Sequence, residues 1–160
     1  MLIEMFIKGL MIDPVTSMPI VILRDADGQR TLPIWVGPVE ANAIALQIEN
    51  VAPPRPMTHD LAGNLIADLG GTLARVVIAD IKDGTFFAYL EIQRGGEVVL
   101  VDSRPSDALA LALRSRAPVF VQASILDTAR TVDASTEQAD QERLQRWLES
   151  LDPEDLGYKM

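Results

Sequence analysis

The stretch Val101-Asp-Ser-Arg-Pro-Ser-Asp-Ala-Leu-Ala-Leu-Ala-Leu-Arg114 constrains the chain most, because five polar side chains immediately precede an apolar helix. Asp102 or Ser103 can cap that helix, Pro105 suits a first turn that needs no amide donor, and Asp107 lies near the positive end of the helix dipole. Alternating Ala and Leu from Ala108 to Leu113 make the helix apolar nearly all round, so it is expected to be buried against a sheet. Its start then delivers Asp102, Arg104, Ser106 and Asp107 to one rim. Capping and burial alone account for Asp102, Ser103, Pro105 and Asp107. Arg104, between two carboxylates, suits a structural salt bridge, a phosphate, or the ordering of a carboxylate that binds a metal.

The 160 residues predict one domain with a full core plus an appendage. No apolar run approaches the roughly 18 residues that span a bilayer, and the N-terminus lacks the pattern of an export signal, so the expectation is a cytoplasmic protein without membrane contact. The absence of cysteine excludes disulfides and thiolate metal sites. A net charge of −9 argues against a broad basic footprint for nucleic acid. Residues 1–126 carry 10 basic and 14 acidic side chains, whereas residues 127–160 carry 4 and 9, so over half of the excess lies in the last fifth.

Leu2 to Ile12 reads as a central strand with both faces covered, followed by strands over Ile20 to Leu23 and Thr31 to Val36, the last an edge with Pro33 and Trp35 outward. Gly37-Pro38 starts a helix to about Val51 with an apolar stripe of Ala41, Ile44, Ile48 and Val51. Glu40 in its first turn suits either the helix dipole or a functional carboxylate. After a Pro-rich connector, Thr58 is expected to cap a helix that buries Leu61, Leu65, Ile66 and Leu69 and ends at Gly70-Gly71.

His59 and Asp60 occupy the first turn of that helix. His59 is the only histidine, so a histidine metal cage is impossible within one chain, and a Ser-His-Asp triad would have to use it. Beside Asp60 it is either locally bonded or a usable acid or base. A meander of Leu73 to Ile81, Thr85 to Gln93 and Glu97 to Val101 follows, with hairpin turns at Asp83-Gly84 and Gly95-Gly96. Phe87 and Tyr89 read as core under a helix rather than as a surface that stacks bases. Beyond the central helix come a short strand from Pro118 to Gln122 and an ending over Ser124 to Leu126. The domain is therefore set at 1–126. A polar linker is expected over 127–140, and an acidic helix and tail over 141–160, with Leu144, Trp147, Leu148 and Leu151 on one face.

Three separated blocks now stand out: Leu32-Pro33-Ile34-Trp35-Val36-Gly37 with Glu40 and Ala41; Arg55-Pro56-Met57-Thr58-His59-Asp60-Leu61; and Asp102-Ser103-Arg104-Pro105-Ser106-Asp107-Ala108. In this order they resemble the bifunctional nuclease domain family over most of residues 3 to 126. The ending Leu151 to Gly157 is similar to the C-termini of that family, whereas Asp127 to Asp140 is not. The resemblance implies an α+β fold with a mixed, largely antiparallel sheet and helices packed on it, homo-oligomerisation, and nuclease activity toward DNA or RNA. It carries over positions rather than catalytic roles.

All three blocks set polar residues at helix starts, which leads to the expectation that Asp102, Arg104 and Asp107 share a pocket with His59 or Glu40. Carboxylates converging there could hold Mg²⁺ or Mn²⁺ to activate water against a phosphodiester, with Arg104 facing the developing phosphate charge. The candidate site is thus Glu40, His59, Asp60, Asp102, Arg104, Ser106 and Asp107. The alternative is a non-enzymatic regulatory module that binds a small ligand or a protein at the same rim.

Overall fold

Turn chemistry lays out the strands. Strand β1 (Leu2–Ile12) returns as β2 (Pro19–Asp25) through a loop in which Asp13 accepts amide bonds from Val15 and Ser17. The next turn uses Gly28 at φ 70° and leads into β3 (Thr31–Trp35). Farther on, β4 (Gly71–Lys82), β5 (Thr85–Arg94) and β6 (Glu97–Ser103) form a meander. Its turns, Asp83-Gly84 and Gly95-Gly96, place both central residues at positive φ, the geometry that matches the twist of a two-residue hairpin. The last strand, β7 (Val119–Gln122), is inserted between the two three-stranded units. It pairs antiparallel with β1 and parallel with β4, giving one seven-stranded sheet in the order β3-β2-β1-β7-β4-β5-β6. This computed structural model describes residues 1–128. The linker and helix expected over 127–160, Trp147 included, lie almost wholly outside the described residues.

The fold is α+β, with its helices on one face of the sheet. They are α1 (Pro38–Ile48), α2 (Thr58–Asp68), α3 (Pro105–Ser115) and α4 (Ala123–Thr128). Ala41 and Ile44 of α1, Ala108 to Ala112 of α3 and Ile125 of α4 share a core with Leu23, Leu32, Val76, Ile78 and Val121 from the strands. Small side chains along α3 let it lie close to the sheet, and each buried Leu, Ile or Val contributes about 1.5–3 kcal/mol. None of the described helices is long and apolar enough to cross a membrane.

Several local expectations are corrected. Helix α1 stops at Ile48 because Asn50 takes a left-handed conformation, which leaves Val51 exposed. Neither Thr58, Asp102 nor Ser103 caps a helix. Met57 and Arg104 hold the extended cap positions, while Asp60 accepts the Met57 amide at 2.9 Å. Strand β1 lies inside the sheet but is covered on both faces only at its far end, where Leu10 and Met11 are buried, since Glu4, Phe6 and Lys8 are exposed. Outward-facing Pro33 is buried, whereas Trp35 is exposed and bonds Asp13 through its indole N–H at 2.9 Å. Phe87 and Tyr89 lie on the face opposite the helices, in register with Asp80 and Asp102, so no described helix covers them. Cations lie over the rings there, Arg75 over Phe120 and Lys82 over Phe87.

The largest departure is α2. Its apolar stripe, expected to be buried, is exposed at Leu61, Leu65 and Leu69. The helix packs through Ala62 alongside α3 and leaves its leucines facing outward.

Candidate active site at three helix starts

Three helix starts converge on the Arg104–Asp107 pair. Pro105 opens α3 and puts Asp107 at its third position, where the amide ends favour negative charge. Asp107 Oδ1 accepts a hydrogen bond from His59 Nε2 at 2.8 Å, and Oδ2 accepts one from Arg104 Nε at 2.8 Å. A second guanidinium nitrogen, Arg104 Nη2, reaches Oδ1 at 3.2 Å, which makes the Arg104–Asp107 pair bidentate. The third nitrogen, Nη1, donates to Glu40 Oε1 at 3.0 Å and so brings in the start of α1. A Cβ at Gly37 would collide with the Glu40 carboxylate, so glycine at that helix cap leaves the room Glu40 uses.

These contacts set the charge states. Burial raises the carboxyl pKa of Asp107, but the hydrogen bonds and charges of Arg104 and His59 outweigh it and hold that pKa below the ordinary value. The Arg104 pKa is raised, first by the hydrogen bond to Asp107 and then by that to Glu40. The Arg104 side chain is 64% exposed while His59 is only 16% exposed. The cation therefore meets solvent, and the imidazole is held in the wall behind it. Among the described residues no hydrogen bond engages His59 Nδ1, so one ring nitrogen is oriented by Asp107 and the other is left for chemistry.

The remaining candidates fall elsewhere. Asp60 faces away from this cluster in its bonding: Oδ2 caps Met57, and Oδ1 accepts Arg114 Nε at 2.7 Å. Ser106 is buried in the first turn of α3. Asp102 sits exposed on β6 opposite Tyr89, and among the described residues it makes no bond to the other candidates.

Arg114 is the residue that sequence reasoning passed over. Its side chain is 8% exposed, and it donates to Asp60 on α2, to Ala110 O on α3 and to Ala43 O on α1. One buried guanidinium therefore ties together the three helices whose starts form the cluster. The signal was its spacing, since Arg114 lies two helical turns beyond Asp107 and shares its face.

A divalent cation does not fit these donors as they are arranged. Glu40 and Asp107 are bridged by the Arg104 guanidinium, and Asp107 also accepts from His59. Among the described residues no group of three His, Asp or Glu side chains is placed to hold a metal.

Comparison with known proteins puts this geometry in a family. An uncharacterized protein of Mycobacterium tuberculosis is 40% identical over 162 residues, covering 96% of this chain and 97% of its own length. Bifunctional nuclease 2 of Oryza sativa subsp. japonica is 30% identical over 132 residues, 79% of this chain and 41% of the rice protein. The bifunctional nuclease of Oryza minuta is 25% identical over 109 residues, 66% of this chain and 33% of that protein. The model of the bifunctional nuclease domain matches residues 21–134, a span that holds all three helix starts. The chain belongs to the bifunctional nuclease domain family.

Proposed function

We propose that the chain hydrolyses phosphodiester bonds in DNA or RNA at the cluster of His59, Asp107, Arg104 and Glu40. The observation that carries this reading is the hydrogen bond from His59 Nε2 to Asp107 Oδ1 beside an exposed guanidinium. Asp107 fixes the orientation of the ring through its hydrogen bond to Nε2. His59 Nδ1 takes the proton of the attacking hydroxyl or water as the new P–O bond forms. The leaving oxygen regains a proton from the imidazolium or from solvent as its own P–O bond breaks. Arg104 exchanges one carboxylate partner for a phosphate oxygen and meets the charge that develops there. Glu40 positions Arg104 in the resting state, while Asp60 and Ser106 serve the helix starts rather than the reaction.

A second reading has an observation of its own. Two carboxylates surround one arginine, and the chain carries a net charge of −9, an arrangement that suits a binding module better than a high-affinity polyanion site.

The test is hydrolysis of single- and double-stranded DNA and RNA by identically purified wild-type, Asp107→Asn and Arg104→Ala proteins, each with Mg²⁺, Mn²⁺ or EDTA. The nuclease reading expects wild-type turnover in EDTA that falls about 100-fold or more in Asp107→Asn. Equal turnover in all three proteins marks a contaminant. No turnover by the wild type under any condition favours the binding module.

A further inference from the structure

The two edges of the sheet are treated differently. Strand β3 is short, carries Pro33 and is largely buried. Strand β6 pairs with β5 in an unbroken register from Ala88 opposite Ser103 to Arg94 opposite Glu97, and nothing described pairs with its outer side. It contains no lysine, proline or bulge, the usual protections of an open edge. Val98, Val99, Leu100 and Val101 are 39–61% exposed. The surface continues onto α2, where Leu61, Leu65 and Leu69, spaced one helical turn apart, are 52–71% exposed. A cavity of about 200 Å³ lined by Leu65, Leu69, Ile92 and Val99 joins the two elements.

We infer that this edge and the α2 stripe form the interface with a second copy of the chain, related by a two-fold axis at Leu100. Antiparallel pairing about that axis sets Leu100 opposite Leu100 of the second copy, Val99 opposite Val101, Val98 opposite Asp102 and Glu97 opposite Ser103. It uses the whole strand and opposes no like charges. Directly opposed residues share a face, and Val99 lies on the helix side, so both copies keep their helices on one side and their α2 stripes meet. The seven side chains offer roughly 600 Å² per copy, close to the ~800 Å² per partner of a standard stable interface. Because β6 runs directly into Arg104 and α2 begins beside His59, the same two elements hold the site and the interface.

The experiment is light scattering on the full chain at micromolar concentration, with Leu100→Lys and Leu69→Glu variants, each checked for retained fold by circular dichroism. The expected result is a wild-type dimer and monomeric variants that melt as folded proteins. Should Leu100→Lys fail to fold, Leu69→Glu, at the exposed C-cap of α2 outside the sheet, decides alone. A monomeric wild type, or a folded Leu69→Glu that remains a dimer, overturns the inference. A chain truncated after Thr128 is measured alongside. If it dimerises while the full chain is monomeric, the C-terminal segment covers this surface instead, which also overturns it.

Discussion

His59 Nε2 and Asp107 Oδ1 lie 2.8 Å apart although 48 residues separate them in the chain. The contact binds the first turn of α2 to that of α3 and depends on an ionised Asp107. Because the folded pKa of Asp107 is depressed, its contribution is fully present above the unfolded value near 3.9 and disappears as pH falls through the lower folded value. Thermal melts from pH 6 to pH 2 are expected to show a steeper acid loss for the wild type than for Asp107→Asn. Parallel curves would mean that Asp107 does not contribute to acid lability.

Arg114 and Arg104 are expected to separate stability from activity. Removing Arg114 leaves Asp60 half-buried and unpaired and releases carbonyls on two helices, so Arg114→Ala should lose about 3–5 kcal/mol. Arg104 is well exposed, and Arg104→Ala should lose about 1 kcal/mol or less while hydrolysis drops about 100-fold. Urea denaturation of both variants checks the two stability losses, and turnover of Arg104→Ala checks the loss of hydrolysis. Equal destabilisation would place Arg104 among the structural residues.

The acidic C-terminal stretch gives a salt-dependent expectation. Residues 127–160 carry a net −5, and exposed charges act over roughly 8 Å at physiological salt. Removing residues 152–160 deletes Asp152, Glu154 and Asp155 but spares Leu144, Trp147 and Leu148. Binding of a single-stranded oligonucleotide, measured by fluorescence anisotropy, is expected to tighten most at low salt. Unchanged affinity at low ionic strength, with fold and assembly intact, would give the tail a purely structural role.

Much of this architecture was legible because local rules agree with the fold. Asp83-Gly84 and Gly95-Gly96 specify hairpins, Pro38 and Pro105 mark helix starts, and the Ala-Leu run of α3 demands burial. Less legible was which acidic side chain each donor selects. His59 has Asp60 beside it in sequence, yet it bonds Asp107, because Asp60 at the third position of α2 is held by the Met57 amide and by Arg114. Adjacent residues on a helix point about 100° apart, so sequence neighbours are poor guides to partners. The α2 stripe shows a second limit. Periodicity shows that Leu61, Leu65 and Leu69 share a face but not what covers that face. Phe87 and Tyr89 pose the same problem on the sheet, since alternation shows that two faces exist but does not say which one receives the helices.

In the proposed phosphodiester hydrolysis His59, oriented by Asp107, moves the proton. Imidazole rescue of His59→Ala tests it most directly, with Tm measured to confirm that the variant folds. Turnover is expected to fall about 100-fold or more, and to be partly restored by millimolar imidazole and not by an amine of similar basicity that does not fit the space left by the ring. Hydrolysis by folded His59→Ala at the wild-type rate, or a loss that imidazole leaves untouched while Tm has collapsed, would contradict it.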